Sequence, residues 1–270
     1  MTYKGSVYDY HVHSDFSFDC DSPMDAVCGQ ALQCGLSELM FTDHIELDFK
    51  GNDYAFDYDY YFDTIAAARE KYPTLTIGCG VEMGIQPHLS ARLQKVLGTH
   101  QWDFIIGSVH IINNLLVYNG EFAAGRNKKQ TYREYLEKVF HAVKTAPSFD
   151  VLAHIDLIRR DCSYDDRNLI WQDFPDELDA ILRELISRGS GIEINTASVR
   201  YGLEGFHPHI SILKRYRELG GEIITCGADS HYVSQAGSNL REAYQLLIEA
   251  GFKYVSTFDK RNLHQIPLDI

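Results

Sequence analysis

The stretch VYDYHVHSD, residues 7–15, decides how this chain is read. It is an apolar run entering a polar loop, as a β-strand does at its end. Residues two apart on a strand point to the same face, so His11 and His13 project side by side. Two neutral imidazoles held that way suit one borderline cation such as zinc, manganese or iron. The same spacing also suits half-buried packing, so the rest of the chain has to separate the two readings.

Outward from this stretch, strands and helices alternate. Strands are predicted over 7–13, 38–45 (ELMFTDHI), 75–85 (LTIGCGVEMGI), 104–112 (FIIGSVHII), 151–158 (VLAHIDLI), 191–196 (GIEINT) and 222–228 (EIITCGA), with a short last one over 253–257. Between them, helices are predicted from Pro23 to a stop at Gly35, with Ser22 as N-cap, and over 58–71, 88–97, 130–144, 175–188, 208–219 and 240–250. Residues 46–57 and 113–129 read as loops, the second carrying Arg126, Lys128 and Lys129. No linker or composition break interrupts the alternation. It predicts a single α/β domain over 1–270 with a parallel sheet, and seven repeats suit a closed, TIM-like (β/α)7 barrel better than an open sheet.

Composition fits such a domain. Hydrophobic residues are 45% and charged residues 23% of 270, ordinary for a globular protein. No apolar stretch approaches the roughly 20 residues that span a bilayer, and residues 1–5 (MTYKG) lack the apolar core of a leader. A cytoplasmic location is expected. Cys20, Cys28, Cys34, Cys79, Cys162 and Cys226 form no Cys-x-x-Cys pair, which disfavours a thiolate zinc knuckle or redox dithiol. Net charge is 25 − 38 = −13, which disfavours nucleic-acid and anionic-membrane partners. A small phosphorylated substrate stays open, because bound cations reverse a local field.

The informative pattern is positional. His11, His13, His44, Glu82, His110, His154, Asp229 and His231 fall at or near predicted strand ends. In a parallel barrel those ends converge on one face, where active sites lie. Six of the twelve histidines are in this set. The others, His88, His100, His141, His207, His209 and His264, read as surface or helix-end residues.

These residues resemble a family. HVHSDFSFD (11–19), FTDH (41–44), GVE (80–82), GSVH (107–110), AHID (153–156) and GADSH (227–231) are similar, in order, to motifs of the polymerase-and-histidinol-phosphatase (PHP) superfamily of metal-dependent phosphoesterases. Within it, GSVH together with EINTA (193–197) looks most like the histidinol-phosphate phosphatase branch. The resemblance implies a distorted seven-stranded barrel holding two or three divalent ions, Zn, Mn or Fe. One would be held by His11, His13, Glu82 and Asp229. A second would share Glu82 and add His110 and His154. A third would take Asp19, His44 and His231, with aspartate at a position where some relatives carry histidine. The implied reaction is hydrolysis of L-histidinol phosphate, a step of histidine biosynthesis, by a metal-bound hydroxide. Three divalent ions against Asp19, Glu82 and Asp229 leave a pocket positive by roughly three, suited to a phosphate dianion.

Around that core, Arg160 and Arg200 are candidates for a phosphate clamp, since a guanidinium grips phosphate through paired hydrogen bonds; Arg159 competes with Arg160. Asp15 has three readings: recognition of a substrate amine, protonation of a leaving group, or loop capping. With Arg160 and His231 it forms the expected catalytic group. Asp43, Asp156, Glu193 and Asn195 are expected to orient metal ligands. The aromatic run over 54–62 reads as a lid or, more simply, as packing at the barrel rim. Other readings are a PHP phosphoesterase for another small phosphate, a phosphotyrosyl protein or a nucleotide, and a metal-dependent phospho-ligand sensor without turnover. An amidohydrolase shares the His-x-His opening but wants a metal-bridging lysine at a strand end, which is missing.

Overall fold

Apolar runs form seven short strands in the computed structural model, which describes residues 3–268; Met1 and Thr2, part of the stretch read for a leader, lie outside the described residues. The strands are β1 (Tyr8–Val12), β2 (Glu38–Phe41), β3 (Thr76–Gly84), β4 (Phe104–Ser108), β5 (Val151–Leu152), β6 (Gly191–Asn195) and β7 (Ile224–Gly227), paired in that order. Every neighbouring pair is parallel. The ring comes together where Asp229 N–H donates to His11 O at 2.7 Å and His13 N–H to Ser230 O at 3.0 Å. Helices α1 (Met24–Gln33), α2 (Tyr58–Lys71), α3 (Ser90–Leu97), α4 (Lys128–Thr145), α5 (Pro175–Ser187) and α6 (Ile210–Glu218) make the crossovers, and α7 (Leu240–Glu249) follows β7. This is the expected distorted, nearly closed (β/α)7 barrel. Among the described residues no helix is long and apolar enough to cross a membrane.

Local chemistry sets what each strand shows the lumen. On β1, three residue steps (Asp9 to Val12) match two on β2 (Leu39 to Phe41). Such an extra residue is a bulge, which re-aims side chains. Tyr10 thereby packs in the lumen with Met40, Phe104, Ile106, Val151 and Phe258, while His11 and His13 both reach the upper rim. On β3, residues Gly78, Gly80, Glu82 and Gly84 fall on one face by their spacing of two. A Cβ on Gly84 would stand 2.0 Å from Glu46 Oε1, so the missing side chain is what admits that carboxylate.

Several boundaries differ from the sequence reading. The strand predicted over 38–45 breaks at Thr42–Asp43, because the Asp43 carboxylate is taken up by the β1 loop. Three two-residue hairpins were not foreseen: His44–Phe49 with Asn52–Tyr54, Ile111–Ile112 with Leu115–Leu116, and Tyr254–Asp259 with Asn262–Pro267. Their turns, Lys50-Gly51, Asn113-Asn114 and Lys260-Arg261, all have positive φ at both positions, the geometry that matches strand twist. The strands predicted through 112 and 158 stop at Ser108 and Leu152, so His110 and His154 lie beyond them. Ser22 does not cap α1; its hydroxyl donates to His231 O at 3.2 Å, and Pro23 occupies the cap position without a side-chain bond. The 54–62 run packs at the rim: Phe56 meets Phe16 and Tyr61, and buried Tyr61 donates to Gly80 O.

Candidate metal centre

Glu82, on β3 and 1% exposed, is the hub. Its Oε2 lies 3.0 Å from His44 Nδ1, 3.2 Å from His11 Nε2 and 3.4 Å from His13 Nε2. Its Oε1 lies 3.0 Å from His154 Nε2 and 3.3 Å from His110 Nε2. Neither of these last approaches has hydrogen-bond geometry, so Oε1 is a buried oxygen without a bonded partner. Asp229 Oδ1 stands 3.4 Å from His13 Nε2, 3.7 Å from His11 Nε2 and 3.5 Å from His231 Nδ1. Asp19 faces His231 Nε2 at 3.3 Å and His44 Nε2 at 3.6 Å. Side-chain exposure of 38% at Asp19 and 24% at His231 puts this group at the mouth of the site.

The ring orientations are fixed from behind. His11 Nδ1 donates to Glu193 at 2.6 Å and His110 Nδ1 to Glu46 at 2.9 Å. His13 Nδ1 donates to Ser17 Oγ at 3.0 Å, and Ser17 Oγ donates onward to Asp43 at 2.7 Å. Asp43 also accepts from the Ser14 amide and hydroxyl. Asn195 Nδ2 bridges Glu193 and Asp229, 3.2 Å from each. A neutral ring that donates from Nδ1 carries its lone pair on Nε2. His11 and His13 then face each other Nε2 to Nε2 at 3.1 Å, and His110 faces His154 at 3.4 Å. Between His11 and His13 this sets lone pair against lone pair, which is repulsive, and a divalent cation turns the contact into shared ligation; the unbonded Glu82 Oε1 beside His110 and His154 offers a second such place. The donor set therefore fits metal ions. Triplets His11/His13/Glu82, His44/Glu82/His110 and His13/His44/His231 each bring three ligand atoms within 4.8 Å of one another.

Without a cation, protons take that place. Burial lowers the His11 imidazole, but Glu193, Glu82 and Asp229 more than reverse this and hold it well above the ordinary value. His44 is raised in the same way by Glu82 and Asp19, and at His110 the Glu82 and Glu46 carboxylates overcome burial to reach about 9. Burial works upward on the Glu82 carboxyl, and the surrounding imidazoles drive it well below the usual range. The backbone shows tension too: His154 and Asp229, each two residues past a strand end, have φ of 52° and 50°, a region that disfavours side chains.

The cluster floors a cavity of about 300 Å³ whose walls include Phe18, Phe49, Tyr118, Arg160, Tyr201 and Tyr232. The family model for the PHP domain matches residues 9–197. The chain belongs to the PHP family. A histidinol-phosphatase of Lactococcus lactis subsp. lactis is 31% identical over 253 residues, 93% of each chain. A probable histidinol-phosphatase of Clostridium acetobutylicum is 30% identical over 94% of this chain and 98% of its own. The crystal structure of a histidinol phosphate phosphatase from L. lactis complexed with zinc, L-histidinol and phosphate has a TM-score of 0.87 at 29% identity. It covers 96% of this chain and 99% of its own.

Against this PHP frame the remaining expected residues divide. Arg160 lines the cavity. Arg159 does not compete with it: fully buried, it donates to Asp156, Asn168, Phe206 O and Glu204 O. Arg200 is not in the cavity wall; its Nη2 donates to Ala228 O and Asp229 O, bracing the loop that carries Asp229. Asp15 is exposed and outside the cavity wall, and its backbone amide donates to Ser22 O at 2.9 Å. Among the described residues Asp156 makes no hydrogen bond or ion pair with the clustered imidazoles. It accepts from His207 Nδ1 at 2.5 Å and Arg159 at 2.7 Å, which corrects both its orienting role and the surface reading of His207, only 2% exposed. Glu46 was missed because it sits in a stretch read as loop; the clue was its spacing of two from His44.

Proposed function

We propose that this PHP protein is a metal-dependent phosphomonoesterase that hydrolyses L-histidinol phosphate to L-histidinol and phosphate, using two or three divalent ions of zinc, manganese or iron. The observation that carries the reading is Glu82, whose Oε2 faces three imidazoles, His11, His13 and His44, while its Oε1 faces two others, His110 and His154. The histidinol-phosphatase relatives, aligned over nearly their whole length, support the substrate. His11, His13, Glu82 and Asp229 would hold one ion, Glu82, His110 and His154 a second, and Asp19, His44 and His231 a third. Bound there, divalent ions supply Lewis acidity toward water and phosphoryl oxygens. The chain's own part is to hold five buried imidazoles around Glu82, three of them oriented from behind, to offer Arg160 to the phosphate, and to surround the leaving group with aromatic walls.

Elemental analysis beside turnover tests this. Phosphate release from L-histidinol phosphate is expected to track metal content and to exceed release from simple phosphate esters. Metal-depleted protein that works at the full rate would end the reading.

A further inference from the structure

Three arginines follow strand ends, and they are used differently. Arg159 spends its donors on a carboxylate, an amide and two carbonyls, and Arg200 spends Nη2 on two carbonyls. Each keeps one buried nitrogen without a partner, Nε of Arg159 and of Arg160 and Nη1 of Arg200, but of the three only the Arg160 guanidinium donates no hydrogen bond to any described residue. What holds it instead is aromatic. Its central carbon lies 3.5 Å from the centroid of the Tyr201 ring and 5.2 Å from that of Tyr118. Both rings share the cavity wall with it. Tyr118 also meets the His110 ring edge-on at 5.7 Å. Tyr201 ends the 3₁₀ turn Thr196–Tyr201 behind β6, whereas Tyr118 follows the Leu115–Leu116 strand. Two separate loops thus converge on one cation.

A guanidinium bonds through its edge and stacks through its faces. A carboxylate partner would fix Arg160 but consume edge donors and cancel its charge. A ring fixes it through quadrupole attraction and leaves both intact. We propose that Tyr118 and Tyr201 are positioning residues that hold the Arg160 guanidinium by its faces, so that its edge donors stay free for a phosphate dianion above the cluster. This rests on the reading of Arg160 as the phosphate-binding group.

The test is a double-mutant cycle on the metal-loaded enzyme, read as KM for L-histidinol phosphate and as the competitive inhibition constant of inorganic phosphate. Tyr201→Leu is expected to raise both roughly three- to thirtyfold, with metal content near the wild-type value. Tyr201→Phe, which keeps the ring face, restores them to within about twofold. In an Arg160→Ala background Tyr201→Leu adds at most about twofold, because coupled residues are not additive. Tyr118→Leu, from the more distant ring, gives a smaller effect in the same direction and serves if Tyr201→Leu does not fold. An unchanged inhibition constant in both leucine variants, while Arg160→Ala raises it, overturns the proposal and leaves the phosphate reading standing. Arg160→Ala with wild-type phosphate inhibition removes that reading and the proposal together. Tyr201→Phe as impaired as Tyr201→Leu assigns the effect to the hydroxyl and overturns the ring-face role.

Discussion

The two ends of the barrel are built by the same strands and obey opposite rules. At the lower end Tyr10 meets Phe104 edge-on at 5.1 Å, and Phe104 meets Phe258 at 4.9 Å. The Tyr10 hydroxyl donates to Glu38 and accepts from Phe258 N–H, so the hydroxyl is satisfied. At the upper end nitrogens face nitrogens, Glu82 Oε1 goes unbonded, and His154 and Asp229 sit in left-handed backbone. Aromatic packing with satisfied polar atoms stabilises whatever is bound. A cluster of unpaired donors destabilises until cations arrive, which is how a binding site is held ready within a stable frame.

That division can be broken most directly at the hub. Glu82→Gln is expected to cut turnover by roughly a thousandfold or more and to lose bound metal, with far-ultraviolet circular dichroism unchanged; full metal content by elemental analysis would contradict the division. His110→Ala should act in the same direction. At the other end, Phe258→Ala should cost about 3–5 kcal/mol in denaturant unfolding and leave metal stoichiometry intact below its melting temperature. Loss of metal there would show that the ends are not independent. Glu46→Gln, or Gly84→Ala through displacement of Glu46, should weaken cation affinity roughly ten- to a hundredfold, measured by calorimetric titration of the metal-free protein. Little change would mean that Glu46 does not orient His110.

The smallest effect concerns pH. Burial raises the Glu38 carboxyl from 4.5 to about 7, so the folded state favours its protonated form. The stability this brings is full below pH 4.5 and is lost as pH rises through about 7. Glu38→Gln should therefore flatten the fall in unfolding free energy between pH 5 and 8 by about 1–2 kcal/mol. An unaltered slope in urea titrations would remove Glu38 as its source.

Much of the upper end was legible because metal chemistry restricts residue types. His-x-His, Glu82 and Asp229 announce themselves by composition and spacing, and strand alternation brings distant motifs to one rim. The barrel class followed from the same alternation. What stayed hidden depends on backbone geometry that side chains barely encode. Lys260-Arg261 turns a hairpin with positive φ at both residues, yet neither residue is a turn former of the Asn-Gly kind. Lys50-Gly51 and Asn113-Asn114 carried that signal within stretches treated as irregular. Arg200 and Asp15 drew notice as charged residues after strand ends, and only tertiary contacts reveal Arg200 Nη2 bound to backbone carbonyls and Asp15 facing solvent. His207 looked peripheral because nothing local marks its burial against Asp156.

The rim also has a timetable. The first cluster residue made on the ribosome is His11, and Asp229 emerges 218 residues later, with His231 just behind it. A nascent chain therefore carries isolated imidazoles for most of its synthesis and completes its cage only when the seventh strand is out. The set Glu82, His110 and His154 is complete by residue 154, whereas the sets that use Asp229 and His231 close last, so a product truncated before residue 229 would leave the ribosome without those two.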